Sequence, residues 1–240
     1  NHEFNDMCVH YGFKKEILNF YDPNKGTEST TEFTLPKIED EINNIFDTEE
    51  EEDKQDKPEE DPYFSNYTNI NCYKYSEKLY NAFMKAFSYL PIGAIINKTS
   101  ICLHGGLSPL LEKVDDIRDE IKRPITDFDE NLLWSDILWG DPSENLTTMY
   151  SANQRGRGKI FSGAVIVNFL KKNNLKRLIR GHECVECGID EQFNSKCITV
   201  FSASSYSGAL KNSSGILKIY ENDDKIEPVI FPPLQRLKKC

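Results

Sequence analysis

The chain has 240 residues, of which 38% are hydrophobic, so it is long and apolar enough to form the core of one substantial domain. Its longest strongly apolar run, Leu90 to Ile96, is far too short to cross a bilayer, which argues against a transmembrane protein. The formal net charge is −10, but 15 acidic and only 3 basic residues fall between Gly26 and Pro62. The rest of the chain is close to neutral, which argues against a broad nucleic-acid-binding surface.

The N-terminal region predicts one amphipathic helix, because Val9, Phe13, Ile17 and Phe20 recur on one helical face. Turn residues between Asp22 and Gly26 are expected to end this helix.

The acidic segment, Gly26 to Pro62, comes next. Its centre, Glu49 to Asp53, is a run of like charges that repel one another and cannot bury apolar surface. We predict a disordered, solvated insert, with a specific docking element as the less favoured alternative.

A β-hairpin is predicted after the insert. Its strands are Ile92 to Ile96 and Ser100 to Leu103, with the turn at Asn97-Lys98. The second strand ends directly before His104.

The remaining elements follow from the same hydrophobic patterns and their breakers. Helices are predicted at 76–90, 110–124 and 162–173, and strands at 177–180, 198–201, 216–220 and 228–231. Strands bounded by turns, with helices between them, predict a layered α+β domain.

The chain has seven cysteines, an odd number scattered along its length, which predicts reduced thiols in a cytoplasmic or nuclear protein. Cys184 and Cys187 have the spacing of a zinc-binding or redox pair, but no second pair completes a four-sulfur site. We favour the interpretation that both are ordinary thiols.

Two of the four histidines follow strand-like runs and lie beside glycines. His104 ends the run Ile101-Cys-Leu-His and precedes two glycines, and His182 follows Leu178-Ile-Arg-Gly. A lone histidine in such a place is more often a hydrogen-bonded structural residue than a metal ligand. Because the setting occurs twice, and His2 has a similarly unusual one, we favour a shared site at strand ends.

The chain carries a series of motifs in a fixed order. They are Asn1-His-Glu3, Tyr11-Gly-Phe13, Leu90-Pro-Ile92, His104-Gly-Gly-Leu-Ser-Pro109, Ile137-Leu-Trp-Gly-Asp-Pro142, Asn153-Gln-Arg-Gly156, Arg180-Gly-His-Glu183 and Val200-Phe-Ser-Ala-Ser-Ser-Tyr206. Together they resemble the serine/threonine phosphoprotein phosphatase (PPP) family, metal-dependent enzymes that include the type 1, type 2A and calcineurin phosphatases. The resemblance covers most of the chain outside the acidic insert.

The resemblance implies an α+β, calcineurin-like metallophosphoesterase β-sandwich flanked by helices. Its N-terminal part is expected to be missing, because the family motifs Gly-Asp-x-His-Gly and Gly-Asp-x-x-Asp-Arg-Gly have no counterpart before Asn1. We expect residues 1–231 to form a partial catalytic domain that contains the insert at 26–62, and residues 232–240 to form a basic tail.

The resemblance also implies a metal centre. Asn1, His104 and His182 match ligands of the second metal ion, while the ligands of the first ion lie in the absent motifs. The complete family domain holds two divalent ions, and nitrogen and oxygen donors of this kind suit manganese, iron or zinc. At most one site is partly present, so we expect negligible turnover from this chain alone.

Three further side chains match residues that act on the substrate. His2 matches the general acid that protonates the departing serine or threonine oxygen. Arg155 matches the arginine that clamps phosphate oxygens, with Arg157 as a weaker neighbouring candidate. Tyr206 matches a tyrosine over the phosphate site, although the serines around it depart from the Pro, Asn and Cys common in that family loop.

The implied function is a protein serine/threonine phosphatase that hydrolyses phosphoserine and phosphothreonine with a two-metal-activated water. Two alternatives stay open: a catalytically inactive, phosphatase-like remnant that binds phosphoproteins or a phosphatase partner, and a metallophosphoesterase for small molecules. The loops of Arg155 and Tyr206 favour protein substrates. We expect phosphoprotein substrates and regulatory subunits as partners, and no nucleic acid or membrane.

Overall fold

The computed structural model describes residues 1–20, 67–127, 129–221 and 225–233. The acidic insert at 26–62 and residues 234–240 of the tail lie outside the described residues, so the predictions for them are not tested. The chain divides into two compact units, one made of Asn1–Tyr11 with Ala82–Cys240 and the other of Gly12–Asn81.

The N-terminal region forms two short helices, α1 (Asn5–His10) and α2 (Phe13–Phe20), where one was predicted. The Tyr11 backbone N–H donates to the Met7 carbonyl and ends α1. Gly12 then takes a φ of +90°, a left-handed conformation that glycine adopts without a steric penalty. The prediction of one helix was wrong at this point because the apolar spacing continues across the break.

Four further helices lie in the described part of the chain. They are α3 (Tyr67–Ser88), α4 (Val114–Glu120), α5 (Leu132–Trp139) and α6 (Gly163–Lys172). The predicted helices at 76–90 and 162–173 are confirmed as α3 and α6, whereas only the middle of 110–124 is helical. In α5, the Asn131 side chain accepts from the Leu133 N–H at 2.8 Å and so caps the helix.

Ten strands occur among the described residues. They are β1 (Gly93–Ile96), β2 (Ser100–Leu103), β3 (Asp141–Ser143), β4 (Tyr150–Ala152), β5 (Lys159–Ser162), β6 (Arg177–Arg180), β7 (Ile189–Gln192), β8 (Cys197–Val200), β9 (Ser214–Ile219) and β10 (Ile226–Phe231). They form a five-stranded sheet in the order β1-β2-β6-β8-β7, a three-stranded sheet β3-β5-β4 and a two-stranded sheet β9-β10. The predicted layered α+β class is confirmed.

The predicted hairpin is confirmed as the antiparallel pair of β1 and β2. Asn97 and Lys98 have φ values of 50° and 57°, as a tight turn with two left-handed residues requires. The inner strands β2, β6 and β8 are parallel, and Leu103 lies opposite Arg180. Because parallel strands end at the same sheet edge, the residues that follow β2 and β6 emerge side by side.

The core lies between the five-stranded sheet and the helices of the larger unit. Ile137 of α5, Phe161 of β5, Ile166 of α6 and Leu178 of β6 are all fully buried in one apolar cluster. The Ile137 carbonyl also accepts from Gly105 and Gly106, which holds α5 beside the end of β2, and β3 pairs with β5.

Candidate active site

The three predicted metal ligands converge where β2 and β6 end. His104 Nε2 lies 2.8 Å from Asn1 Oδ1, and the ring centroids of His104 and His182 are 5.0 Å apart. Asn1 is buried, and the His182 side chain is only 4% exposed. Amide oxygen and imidazole nitrogens therefore share one largely buried position.

The backbone around these histidines is closely fitted. The N–H groups of Gly105 and Gly106 both donate to the Ile137 carbonyl, at 2.8 and 3.0 Å. A Cβ on Gly105 would lie 2.8 Å from backbone atoms of Ile137 and Leu138, so a glycine is needed directly after His104. His182 has a φ of +67°, an uncommon conformation for a residue with a side chain, and such strain is concentrated at functional sites.

The protonation states of the histidines suit metal ligands. Burial lowers the pKa of His104 to about 3 and that of His182 to about 4. Both imidazoles are therefore neutral near pH 7, and metal ligation requires a neutral imidazole.

The residues present fit part of a metal site. His182 Nε2 is buried and has no hydrogen-bond partner in the part of the chain that the structure describes, an arrangement that costs free energy unless another group satisfies the nitrogen. Its closest carboxylate oxygen, Asp141 Oδ1, lies 4.0 Å away, which is too long for a hydrogen bond. Within the described ranges no group of three or more His, Cys, Asp or Glu side chains is placed to hold a metal, so Asn1, His104 and His182 are the candidate set.

Asp141, at the start of β3, links the histidines to the predicted phosphate-binding loop. Its Oδ2 accepts from Arg155 Nε at 2.7 Å and Asn153 Nδ2 at 2.9 Å, while its Oδ1 accepts from Arg180 at 3.0 Å. Burial by itself raises the pKa of Asp141, but the hydrogen bonds from Arg155 and Asn153 and the charge of Arg180 hold the pKa below its ordinary value. Asp141 is therefore a carboxylate at neutral pH.

Arg180 is fully buried and ties the strand ends together. Its guanidinium donates to the carbonyl oxygens of Gly105 and Gly140 and pairs with Asp141 and, at 2.7 Å, with Glu183. Burial raises the pKa of Glu183, although the charge of Arg180 acts against this. The roles of Asp141 and Arg180 were not predicted, although both residues lie within the ordered sequence motifs.

Arg155 presents its guanidinium beside this network. The side chain is 38% exposed, and its Nε bond to Asp141 holds it in place. Its two terminal nitrogens form no hydrogen bond with any residue that the structure describes. Arg157 points elsewhere: its guanidinium lies 5.3 Å from the Trp139 ring centroid and 3.7 Å from Asp129.

His2 and Tyr206 lie on exposed surface. The ring of His2 packs against Tyr11 at 4.6 Å between centroids, and burial lowers the pKa of His2. Tyr206 contacts Phe201 at 5.1 Å, and its loop is held by the buried Asn212, whose Oδ1 accepts from the Tyr206 N–H at 2.9 Å. No hydrogen bond or ring contact of the described residues joins Tyr206 to the histidines or Arg155. The roles of His2, Arg155 and Tyr206 stay predictions.

A layered fold whose strand ends carry buried imidazoles beside an arginine–carboxylate network defines the class of metallophosphoesterases. The model of the calcineurin-like phosphoesterase family matches residues 1–186, and the chain belongs to that family. Members of this family generally depend on divalent metals. The predicted fold and the resemblance to a PPP-type catalytic domain are confirmed.

A solved structure supports the same assignment. A protein serine/threonine phosphatase from Saccharomyces cerevisiae, described as similar to human phosphatase PP5, matches with a TM-score of 0.60 and 25% sequence identity. The match covers 71% of this chain and 56% of the yeast chain, so this chain spans little more than half of that relative. No helix among residues 1–20, 67–127, 129–221 and 225–233 is both long and apolar enough to span a membrane.

Proposed function

We propose that the protein is a metal-dependent phosphatase that hydrolyses phosphoserine and phosphothreonine in proteins. The observation that carries the proposal is the convergence of Asn1, His104 and His182, with an unpartnered buried nitrogen on His182, beside the Asp141–Arg155 pair. The serine/threonine preference is supported by the structural likeness to the yeast serine/threonine phosphatase.

Divalent metal ions bound at this centre would activate water and neutralise phosphoryl charge. Arg155 binds the phosphoryl oxygens through its two terminal nitrogens, because the Asp141 contact uses Nε and leaves the flat, two-pronged end of the guanidinium available. Asp141 lies beside both groups, because its Oδ2 accepts from Arg155 and its Oδ1 is 4.0 Å from His182 Nε2.

His2 delivers a proton to the departing serine or threonine oxygen. Its pKa is lowered in the free protein, but an anionic phosphate beside the ring favours the protonated form. Tyr206, on the loop held by Asn212, contributes to the surface that receives the substrate.

We also propose a reducing cytoplasmic or nuclear setting, with phosphoproteins and regulatory subunits as partners. The described cysteines, Cys8, Cys102, Cys184, Cys187 and Cys197, are all free thiols, which supports such a compartment.

The test is phosphate release by the full-length protein, with Mn²⁺ added, from phosphoserine, phosphothreonine and phosphotyrosine peptides and from p-nitrophenyl phosphate. We expect release from the first two peptides. Arg155→Ala should lower turnover of those peptides by about 100-fold, a typical effect of removing a group that stabilises transition-state charge. Arg118→Ala is the matched control, because Arg118 is 73% exposed on α4 and, among the described residues, forms ion pairs only with Asp115 and Asp119.

Other outcomes would replace the proposal. Tight binding of the phosphopeptides without release would support the phosphatase-like binding remnant. Release from p-nitrophenyl phosphate alone would indicate a small-molecule phosphoesterase.

A further inference from the structure

Arg157 lies on the same loop as Arg155 but has no part in the proposed reaction. Its guanidinium carbon lies over the ring of Trp139, 5.3 Å from the ring centroid. The Trp139 ring also contacts that of His182, with centroids 5.6 Å apart and ring planes 88° apart. One indole therefore contacts both a candidate metal ligand and a second arginine of the phosphate-binding loop.

The loop that carries the two arginines is fixed against Trp139. Asn153 Nδ2 donates to the Trp139 carbonyl at 3.1 Å, and the Gly156 N–H donates to the Asn153 carbonyl at 3.1 Å. Gly158 has a φ of +72°, and a Cβ there would lie 2.5 Å from the Trp139 backbone, so this close approach requires glycine. The backbone on both sides of Arg157 is thus held beside the indole.

The guanidinium of Arg157 has room for a substrate carboxylate. Its side chain is 33% exposed, and its ion pair with Asp129 spans 3.7 Å, which is longer than a hydrogen bond. Because Asp129 is itself 61% exposed, water and salt screen that pair and it contributes little. A guanidinium carries five N–H donors, so a further carboxylate can bind while the existing contacts of Arg157 persist.

We propose that Arg157 selects phosphoproteins with an aspartate or glutamate close to the phosphorylated residue, by binding that carboxylate while Arg155 binds the phosphoryl group. The inference deepens the proposed phosphatase function and rests on it. The two arginines are two positions apart, so their Cα atoms are separated by at most about 7 Å. An extended peptide advances about 3.3 Å per residue, so the carboxylate is expected about one to three positions from the phosphoserine.

The carboxylates beside the histidines do not oppose such a substrate strongly. Asp141 pairs with both Arg155 and Arg180, and Glu183 pairs with Arg180. These pairs offset the repulsion that either carboxylate would exert on an acidic peptide. Charge complementarity of this kind contributes to the choice of partner even where the gain in affinity is small.

The kinetic test uses the full-length protein, with Mn²⁺ added, and phosphoserine peptides that carry Asp, Asn or Lys at one neighbouring position. At the best position, kcat/KM should be about fivefold higher for the Asp peptide than for the Asn peptide, as expected for a partly exposed ion pair. Arg157→Gln should abolish this difference and change kcat/KM for the Asn peptide by less than about twofold. Arg118→Gln is the matched control, because it removes the same charge from the exposed side of α4 and should keep the preference.

Two further measurements separate recognition from a structural role of Arg157. Arg157→Glu should invert the preference, so that the Lys peptide is hydrolysed faster than the Asp peptide. In the wild-type protein the preference should shrink as salt is raised from about 0.05 to about 0.3 M, because partly exposed charges are screened. Equal kcat/KM for the Asp and Asn peptides at every position, or a preference that survives in Arg157→Gln, would overturn the proposal.

Peptide binding distinguishes failure of this inference from failure of the proposed function. If no phosphoserine peptide is hydrolysed, the proposed function fails, and fluorescence anisotropy with labelled Asp and Asn peptides then tests the recognition alone. Binding of the Asp peptide that is about fivefold tighter, and that loses this advantage in Arg157→Gln, would support recognition by Arg157. Equal affinities for the two peptides would refute it.

Discussion

At the residue scale, Asp141 is the side chain on which the two halves of the site depend. It accepts from Arg155 on the phosphate-binding side and from Arg180 on the histidine side. Removing its charge leaves the fully buried Arg180 with one carboxylate, Glu183, and leaves Arg155 unanchored. Stability and catalysis should therefore fall together when Asp141 is changed.

We expect Asp141→Asn to lower the free energy of unfolding by about 2 kcal/mol, since hydrogen bonds to buried charged groups are lost. Phosphopeptide turnover should fall by about 10- to 100-fold, which is typical of residues that hold a ligating or substrate-binding side chain in position. Urea unfolding and steady-state kinetics measure the two effects. Asp129→Asn is the control, because its ion pair with Arg157 is long and its side chain is 61% exposed, so stability should change by less than about 0.5 kcal/mol.

The buried histidines predict a pH dependence of the metal-free protein. Their pKa values are about 3 and about 4 in the folded protein but near 6.5 when unfolded, so below pH 6.5 the unfolded chain binds more protons. Stability should therefore be lost as the pH falls from about 6.5 toward 4, by at most about 1.4 kcal/mol per pH unit for each histidine.

The measurement is urea unfolding in chelator at several pH values. His104→Asn should make the slope shallower, since one of the two titrating rings is gone. A free energy of unfolding that stays constant between pH 7 and pH 5 would contradict the assignment of both rings as buried and neutral.

At the element scale, the pairing of β2 with β6 brings the two histidines together, and this part of the site was predictable. β2 is an apolar run that stops at His104, β6 is a strand-like run followed by Gly181 and His182, and parallel strands end at one sheet edge. The hairpin was predictable too, because Asn97-Lys98 marks its turn between two apolar runs. Short strands such as β3 and β4, of three residues each, left no periodic pattern to detect.

The roles of Asp141 and Arg180 could not be predicted for a different reason. Hydrophobic periodicity identifies which face of an element is buried, but not which charged side chains are buried with it. Arg180 lies in a strand, where a charged residue suggests an exposed position, yet it is fully buried, and oxygen atoms of five described residues accept from its guanidinium. Asp141 forms its bonds with residues 12 to 39 positions away in the chain, which no local pattern shows.

The turn after β2 predicts a sensitive glycine. Gly105→Ala should destabilise the protein by about 2 kcal/mol, because the added methyl group would lie 2.8 Å from backbone atoms that cannot move aside cheaply. Gly181→Ala is the matched control from the other strand end, where the nearest atom would be 3.7 Å away. Comparable urea midpoints for the two variants would show that the fit around Gly105 is looser than described.

At the scale of the whole molecule, the sequence predicts that the acidic insert contributes little to folding. Residues 26–62 carry 15 acidic and 3 basic side chains, a composition that opposes packing on a core. Deleting the insert should leave the melting temperature nearly unchanged, as measured by calorimetry in 0.15 M salt. A large decrease would show that the insert packs on the folded part of the protein.

The parallel register of β2 and β6 also determines when the site forms during folding. Gly105 and Arg180, which bond across this edge, are 75 residues apart in the chain, so the contact closes a long loop and forms slowly compared with helices and hairpins. Before that pairing the imidazoles of His104 and His182 lie far apart and share no ion. Metal affinity thus appears only once the central sheet has assembled, and the kinetics of metal uptake during refolding should report that event directly.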